Sequence, residues 1–190
     1  MALRDEILDC STDLITEILK LYPTWIGNKQ FKGTPGRIAR MYQELCWPED
    51  KIKLELDKQF KSFENGYREM MVEKDISVWT LCPHHLLPCH FTVAIGYIPT
   101  KGVLGLSKLT RISVISGKRP IMQEQYTTEI AELLMSKLGP KGVAVYVVGK
   151  HGCMSARGVQ QNSEVVTAVL KGDFLKEGPT REEFYRICKG

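Results

Sequence analysis

A chain of 190 residues is long enough for one well-packed domain with a helical appendage, and short for two. Hydrophobic content of 43% and charged content of 25% are ordinary for a globular protein; a net charge of +4 is too mild to argue for nucleic acid, though it suits an anionic small substrate if the basic residues converge. Six cysteines without regular spacing exclude a disulfide framework, and with no signal peptide, lipidation motif or long apolar run the expectation is a reduced, cytoplasmic protein with no membrane partner.

Residues 3–22 have the spacing of an amphipathic helix, with Ile7, Leu8, Leu14, Ile15, Ile18 and Leu19 on one side. A Gly- and Lys-rich loop runs from Pro23 to Pro35. Thr34 then reads as an N-cap, with Pro35 opening a helix to about Cys46 that buries Ile38, Met41, Tyr42 and Leu45. Glu49 to Lys61 is a third, charged helix. From Tyr67 the period changes: Met70–Val72, Ile76–Leu81 and Phe91–Ile98 read as strands, followed by helices at Ser107–Ser116 and Gln123–Leu138, the second closed by Gly139-Pro140. Val143–Val148 and Val165–Leu170 complete the strands, and a last helix begins near Thr180, with Glu183 in capping-box position. This divides the chain into a helical region, 1–62, and a catalytic domain, 63–190.

The chemistry gathers in two short runs, Cys82-Pro83-His84-His85-Leu86-Leu87-Pro88 and His151-Gly152-Cys153-Met154-Ser155-Ala156-Arg157, which hold three of the four histidines. Cys82 and His85 are three apart, close enough for a thiolate and an imidazole to reach one metal from a turn, and Cys153 can supply a third ligand. Three protein ligands with a position left for water is the pattern of catalytic zinc, and thiolate with imidazole favours zinc over magnesium or calcium. A Cys-x-x-His pair alone is a weak signal, because free cysteines are often small buried hydrophobes. The second run strengthens it: on a strand, His151 and Cys153 point to the same side. His84 and His151 remain as non-ligand imidazoles suited to proton transfer near neutral pH. Ser107 opens a helix whose free N–H groups, with Lys108 and Arg111, form a seat for phosphate or else an ordinary cap with surface charges. Gln123-Glu124 opens the next helix, and a carboxylate there matches an edge such as guanine N1–H and N2–H.

In order and spacing these segments resemble GTP cyclohydrolase I, on Cys82-x-His84-His85-Leu86-x-Pro88, Gly105-Leu106-Ser107-Lys108-x-x-Arg111-Ile112, Gln123-Glu124 and His151-x-Cys153-Met154-x-x-Arg157-Gly158-Val159. The resemblance implies an α+β tunnelling fold (T-fold), an antiparallel sheet with helices on one face and an N-terminal helical extension. It also implies a homodecamer with active sites shared between neighbouring subunits. It assigns zinc to Cys82, His85 and Cys153, catalysis to His84 and His151, and guanine recognition to Glu124 with Gln123 beside it. It gives triphosphate contacts to Ser107, Lys108, Arg111 and Arg157, and places Arg40 where the family has a basic phosphate group. The implied reaction is attack of zinc-activated water on C8 of GTP, loss of formate, Amadori rearrangement and reclosure to 7,8-dihydroneopterin triphosphate, the first step of pterin- or folate-type biosynthesis.

Four positions depart from the family pattern. Pro83 stands where glutamate is usual, Ile121 for glutamine, Gln125 for a basic residue and Cys89 for a common aromatic. Two alternatives stay open: a related enzyme that stops at the ring-opened formylamino intermediate, and a non-catalytic zinc-stabilised subunit binding a nucleotide or pterin. Retention of His84 and His151 argues against the second.

Overall fold

A computed structural model describes residues 3–64 and 66–189. The chain forms two compact units, residues 1–47 and 48–190. In the first, α1 (Leu3–Lys20) packs with α2 (Thr34–Leu45), and two single 3-10 turns lie between them. Thr34 is the first residue of α2 and not its cap: Gly33 takes the N-cap position without a side-chain bond, and Pro35 sits in the first turn, where its missing N–H costs nothing. Ala39 is buried in α2, whereas Met41, expected inside, remains 36% exposed. The apolar stripe of α1 is likewise open, with Leu14 54% and Ile18 42% exposed.

The second unit begins with α3 (Glu49–Asp57), which ends four residues before the expected Lys61 and packs on α4 (Ser107–Ser116). A short strand β1 (Ser62–Glu64) pairs with β4 (Gly102–Leu104). The main sheet is fully antiparallel, in the order β2 (Met71–Leu81), β3 (Pro88–Ile98), β5 (Gly142–His151), β6 (Glu164–Gly172). The two early strands expected at 70–72 and 76–81 are one strand, bent by a bulge between Glu73 and Ile76 where Asp75 takes φ 60°. Between β3 and β5 the chain crosses through α4 and α5 (Gln123–Leu138), giving the ββααββ order of a T-fold.

Alternation decides which side chains meet the helices. Phe91, Val93, Ile95 and Tyr97 of β3 and Val143, Val145 and Val147 of β5 face Leu109 and Ile112 of α4 and Tyr126, Ile130 and Leu134 of α5, all within one buried cluster. Gly139, at φ 56°, closes α5 in the left-handed conformation that glycine adopts without penalty. On the opposite face, Phe174 and Phe184 pack on Ile98 and Ala144 at one end. Phe184 belongs to α7 (Pro179–Lys189), which starts one residue ahead of the Thr180 expected to cap it.

Candidate metal centre and active site

The loop from β2 to β3 is tied at its base by the Cys82 N–H donating to the Leu87 carbonyl and the Leu86 N–H donating to that of Cys82, both at 2.9 Å. Leu86 takes φ 51°, an uncommon conformation for a branched residue, and both histidines of the turn are exposed. Nδ1 of His85 lies 3.5 Å from Sγ of Cys82, and Nδ1 of His84 lies 3.8 Å from it. Cys153 arrives from the end of β5, the strand paired with β3. It is not on a strand, as its spacing from His151 suggested: β5 ends at His151, and a single helical turn, α6 (Gly152–Ser155), swings Cys153 toward the β2–β3 loop. Gly152 allows this because a Cβ there would stand 2.6 Å from the Pro88 carbonyl.

The ligand atoms of Cys82, His85 and Cys153 all lie within 4.8 Å of one another. In a tetrahedral zinc site, bond lengths near 2.0–2.3 Å put neighbouring ligand atoms about 3.4–3.8 Å apart, so these donors need little adjustment to fit one ion. Burial, and then the neighbouring Cys82 thiol, push the Cys153 thiol up, a repulsion between sulfurs that a bound cation removes. Cys82 is 6% exposed, His85 is exposed and Cys153 half-buried, so the donors line the floor of an open site.

Around this centre stand the imidazoles and Glu124. His84 is exposed, with its ring edge-on to His85. His151 is half-buried, and both ring nitrogens are engaged: Nδ1 lies 3.3 Å from Sγ of Cys89, and Nε2 lies 2.8 Å from Oε1 of Gln123. Burial lowers the pKa of His151, and the nearby Glu124 carboxylate partly restores it. Arg157 donates from Nη1 to Nε2 of His85 at 2.8 Å, so it stands at the metal centre itself.

A family model described as GTP cyclohydrolase I matches residues 12–189. The chain belongs to this family. A protein named GTP cyclohydrolase 1 from Aquifex aeolicus is 42% identical over 181 residues, covering 93% of this chain and 96% of its own length. Another of that name from Hydrogenobaculum sp. is 38% identical over 182 residues, covering 92% and 96%. Among solved structures, an archaeosine synthase QueF-like protein in its apo form shares 22% identity over 54% of this chain and 93% of its own, with a TM-score of 0.45.

Set against the family pattern, one chain assembles Cys82, His84, His85, Gln123, Glu124, His151, Cys153 and Arg157 at one end of the sheet. It does not bring Ser107, Lys108 and Arg111 there. They open α4, which follows the far end of β3, and eleven residues of strand span about 33 Å. Ser107 and Arg111 are exposed; Lys108 donates to Oε1 of Gln59 at 3.2 Å. Arg40 is exposed on α2, in the other unit. Gln123, expected beside the base, is 2% exposed, and its amide is occupied within the protein. Cys89 and Gly149, to which sequence reasoning gave no role, both touch this arrangement; no sequence signal marks them, because they come to it through the β3–β5 register, which pairs Cys89 with His151 and Gly149 with Phe91. Among the other departures, Ile121 is buried, and Gln125 donates to Oε1 of Glu129 at 2.7 Å on the exposed start of α5.

Proposed function

We propose that the chain is a zinc-dependent GTP cyclohydrolase I, converting GTP and water to 7,8-dihydroneopterin triphosphate and formate at the head of pterin- or folate-type biosynthesis in the cytoplasm. The observation that carries this reading is the cluster of Cys82, His85 and Cys153 with His84, His151 and Glu124 around it. Zinc, when bound there, supplies a Lewis acid that makes water nucleophilic near neutral pH. The side chains do the rest. Glu124 accepts from N1–H and N2–H of guanine and fixes the purine's orientation. His84, exposed beside the ligand His85, exchanges protons with the purine nitrogen as the five-membered ring opens. His151 donates from the other side. Arg157 meets the triphosphate at the metal end.

Ser107, Lys108, Arg111 and Arg40 complete the triphosphate clamp from a neighbouring copy in a homodecamer. Three features support assembly: the phosphate-type residues lie at the wrong end of their own sheet, β2 and β6 are edge strands in the single chain, and the apolar stripe of α1 is uncovered. Among the described residues no helix is long and apolar enough to cross a membrane.

Formate release from GTP, guanosine and ATP tests the reading. GTP is expected to turn over. Guanosine loses the charge-assisted contacts, each worth roughly 1.5–3 kcal/mol, and ATP leaves the Glu124 carboxylate without its two donors. Equal release from all three removes both clamps from the account.

A further inference from the structure

Glu124 is exposed in the first turn of α5, and among the described residues no hydrogen bond or ion pair holds its carboxylate. Its place is therefore set by the backbone of that turn. The residue beside it fastens the turn. Gln123 is 2% exposed, and its amide nitrogen lies 2.9 Å from the Val165 carbonyl and 3.2 Å from both the Val147 carbonyl and the Thr167 hydroxyl. We infer that Gln123 is a positioning residue for base recognition: its amide ties the start of α5 to β5 and β6, and so sets where Glu124 meets the guanine edge. The inference rests on the reading of Glu124 as the guanine anchor.

Two backbone carbonyls fix the orientation of the amide, because a C=O only accepts: the end between Val147 and Val165 is the NH2 group. Val147 belongs to β5 and Val165 to β6, so one side chain spans two strands. Thr167 is held in turn by a 2.7 Å hydrogen bond with the Thr127 hydroxyl, which donates to the backbone carbonyl of Gln123, also at 2.7 Å. Side chain and backbone of Gln123 thus close one circuit. Gly149 opens the route, since a Cβ there would collide with Oε1 of Gln123. A further tie secures the entry to α5, where the Ile121 N–H donates to the Leu81 carbonyl at 3.1 Å. Leu81 ends β2 and is followed by the candidate ligand Cys82. The start of α5 is therefore pinned to three strands of the sheet.

A buried amide with its groups already occupied does not also bind a base; the exposed neighbour does. The consequence is particular to base selection. Two parallel hydrogen bonds from N1–H and N2–H to one carboxylate weaken steeply when distance or angle departs from the normal range. A small shift of the first turn takes Glu124 out of register with that edge. Contacts to the triphosphate are made by other residues and lose nothing by the same shift.

The test compares GTP with inosine triphosphate, which keeps N1–H and lacks the 2-amino group. Formate release from GTP by the zinc-loaded chain is measured with inosine triphosphate as competitor, so the affinity ratio is obtained whether or not the competitor turns over. Wild type is expected to favour GTP by about 10–100-fold, the worth of one charge-assisted hydrogen bond. Gln123→Met, which keeps the length and loses the hydrogen bonds, should cut that ratio about tenfold, the scale on which a misplaced group loses its contact, with zinc content unchanged. Gly149→Ala, which retains Gln123 and displaces its amide, should act in the same direction. Gln123→Met decides, and Gly149→Ala decides if Gln123→Met does not retain zinc. An unchanged ratio, whether the two affinities fall together or not at all, overturns the inference, as does loss of zinc from both variants: Gln123 then braces the fold and nothing more. A wild type that binds both nucleotides equally is a different failure, because it removes Glu124 as the guanine anchor and takes the inference with it.

Discussion

His84 and His85 are adjacent copies of one side chain, and small differences in geometry separate them. His85 turns Nδ1 to within 3.5 Å of the Cys82 sulfur and joins the cluster with Cys153; His84 stands at 3.8 Å, outside it. His85→Ala and Cys153→Ala are therefore expected to lose zinc and activity together. His84→Ala should keep zinc and GTP binding and lose ~10²–10⁴-fold in turnover, the usual contribution of a general acid or base. Zinc analysis beside kcat for each variant checks this, and zinc lost on replacing His84 but kept on replacing His85 would reverse the assignment. The clustering of Cys82, His85 and Cys153 was legible in the sequence because the second run, around Cys153, adds a third donor to the Cys82 and His85 pair. The environment of His151 was not, since it depends on which residues α5 and β3 place beside it, and neither Cys89 nor Gly149 belongs to a motif.

At the scale of elements, the periodic stretches declared themselves. The bounds of α4 and α5 fell where the apolar spacing and Gly139-Pro140 put them, because each helix buries one stripe on the sheet. Shorter pieces did not show. Strands β1 and β4 are three residues each, too short for a period, and exist through their pairing with one another. The break expected between Val72 and Ile76 was a bulge, since Glu73, Lys74 and Asp75 interrupt the alternation without ending the ladder. The attachment of α7 rests on a contact that also lacks a local signature. Gly96 lies beneath the Phe184 ring, and a Cβ there would meet two ring atoms at 2.8 and 2.9 Å. Gly96→Ala should destabilise the protein by about 1–3 kcal/mol through overpacking, read as a lower denaturation midpoint. Phe184→Leu in the same chain should recover part of the loss, and an unchanged midpoint for Gly96→Ala would show that α7 contributes little to holding the fold.

The whole molecule raises the question that one chain leaves open, namely where the phosphate clamp comes from. Cys153 and Arg157 follow the end of β5 at the metal centre, while Ser107, Lys108 and Arg111 follow the far end of β3. A sheet cannot fold its two ends together, so on the proposed reading, with guanine at Glu124 and triphosphate on α4, the substrate would bridge two copies. This gives a sharp expectation. Cys153→Ala and the double variant Lys108→Ala with Arg111→Ala should each be inactive alone, and co-assembly of the two should restore part of the activity, because some interfaces then pair an intact metal centre with an intact clamp. Mixed assemblies as inactive as their parents would place the clamp within a single chain or elsewhere. The fold class was readable from the order of strands and helices, but the separation of the α4 N-terminus from the Cys82, His85 and Cys153 cluster becomes visible only once β3 is given its length.

The most direct measurement is the product formed from GTP by the zinc-loaded chain, identified by mass and fluorescence. The account predicts one formate for each GTP consumed and a product with the mass and, after oxidation, the fluorescence of 7,8-dihydroneopterin triphosphate. Accumulation of the ring-opened formylamino nucleotide, or no consumption of GTP by protein carrying about one zinc per chain, would contradict it.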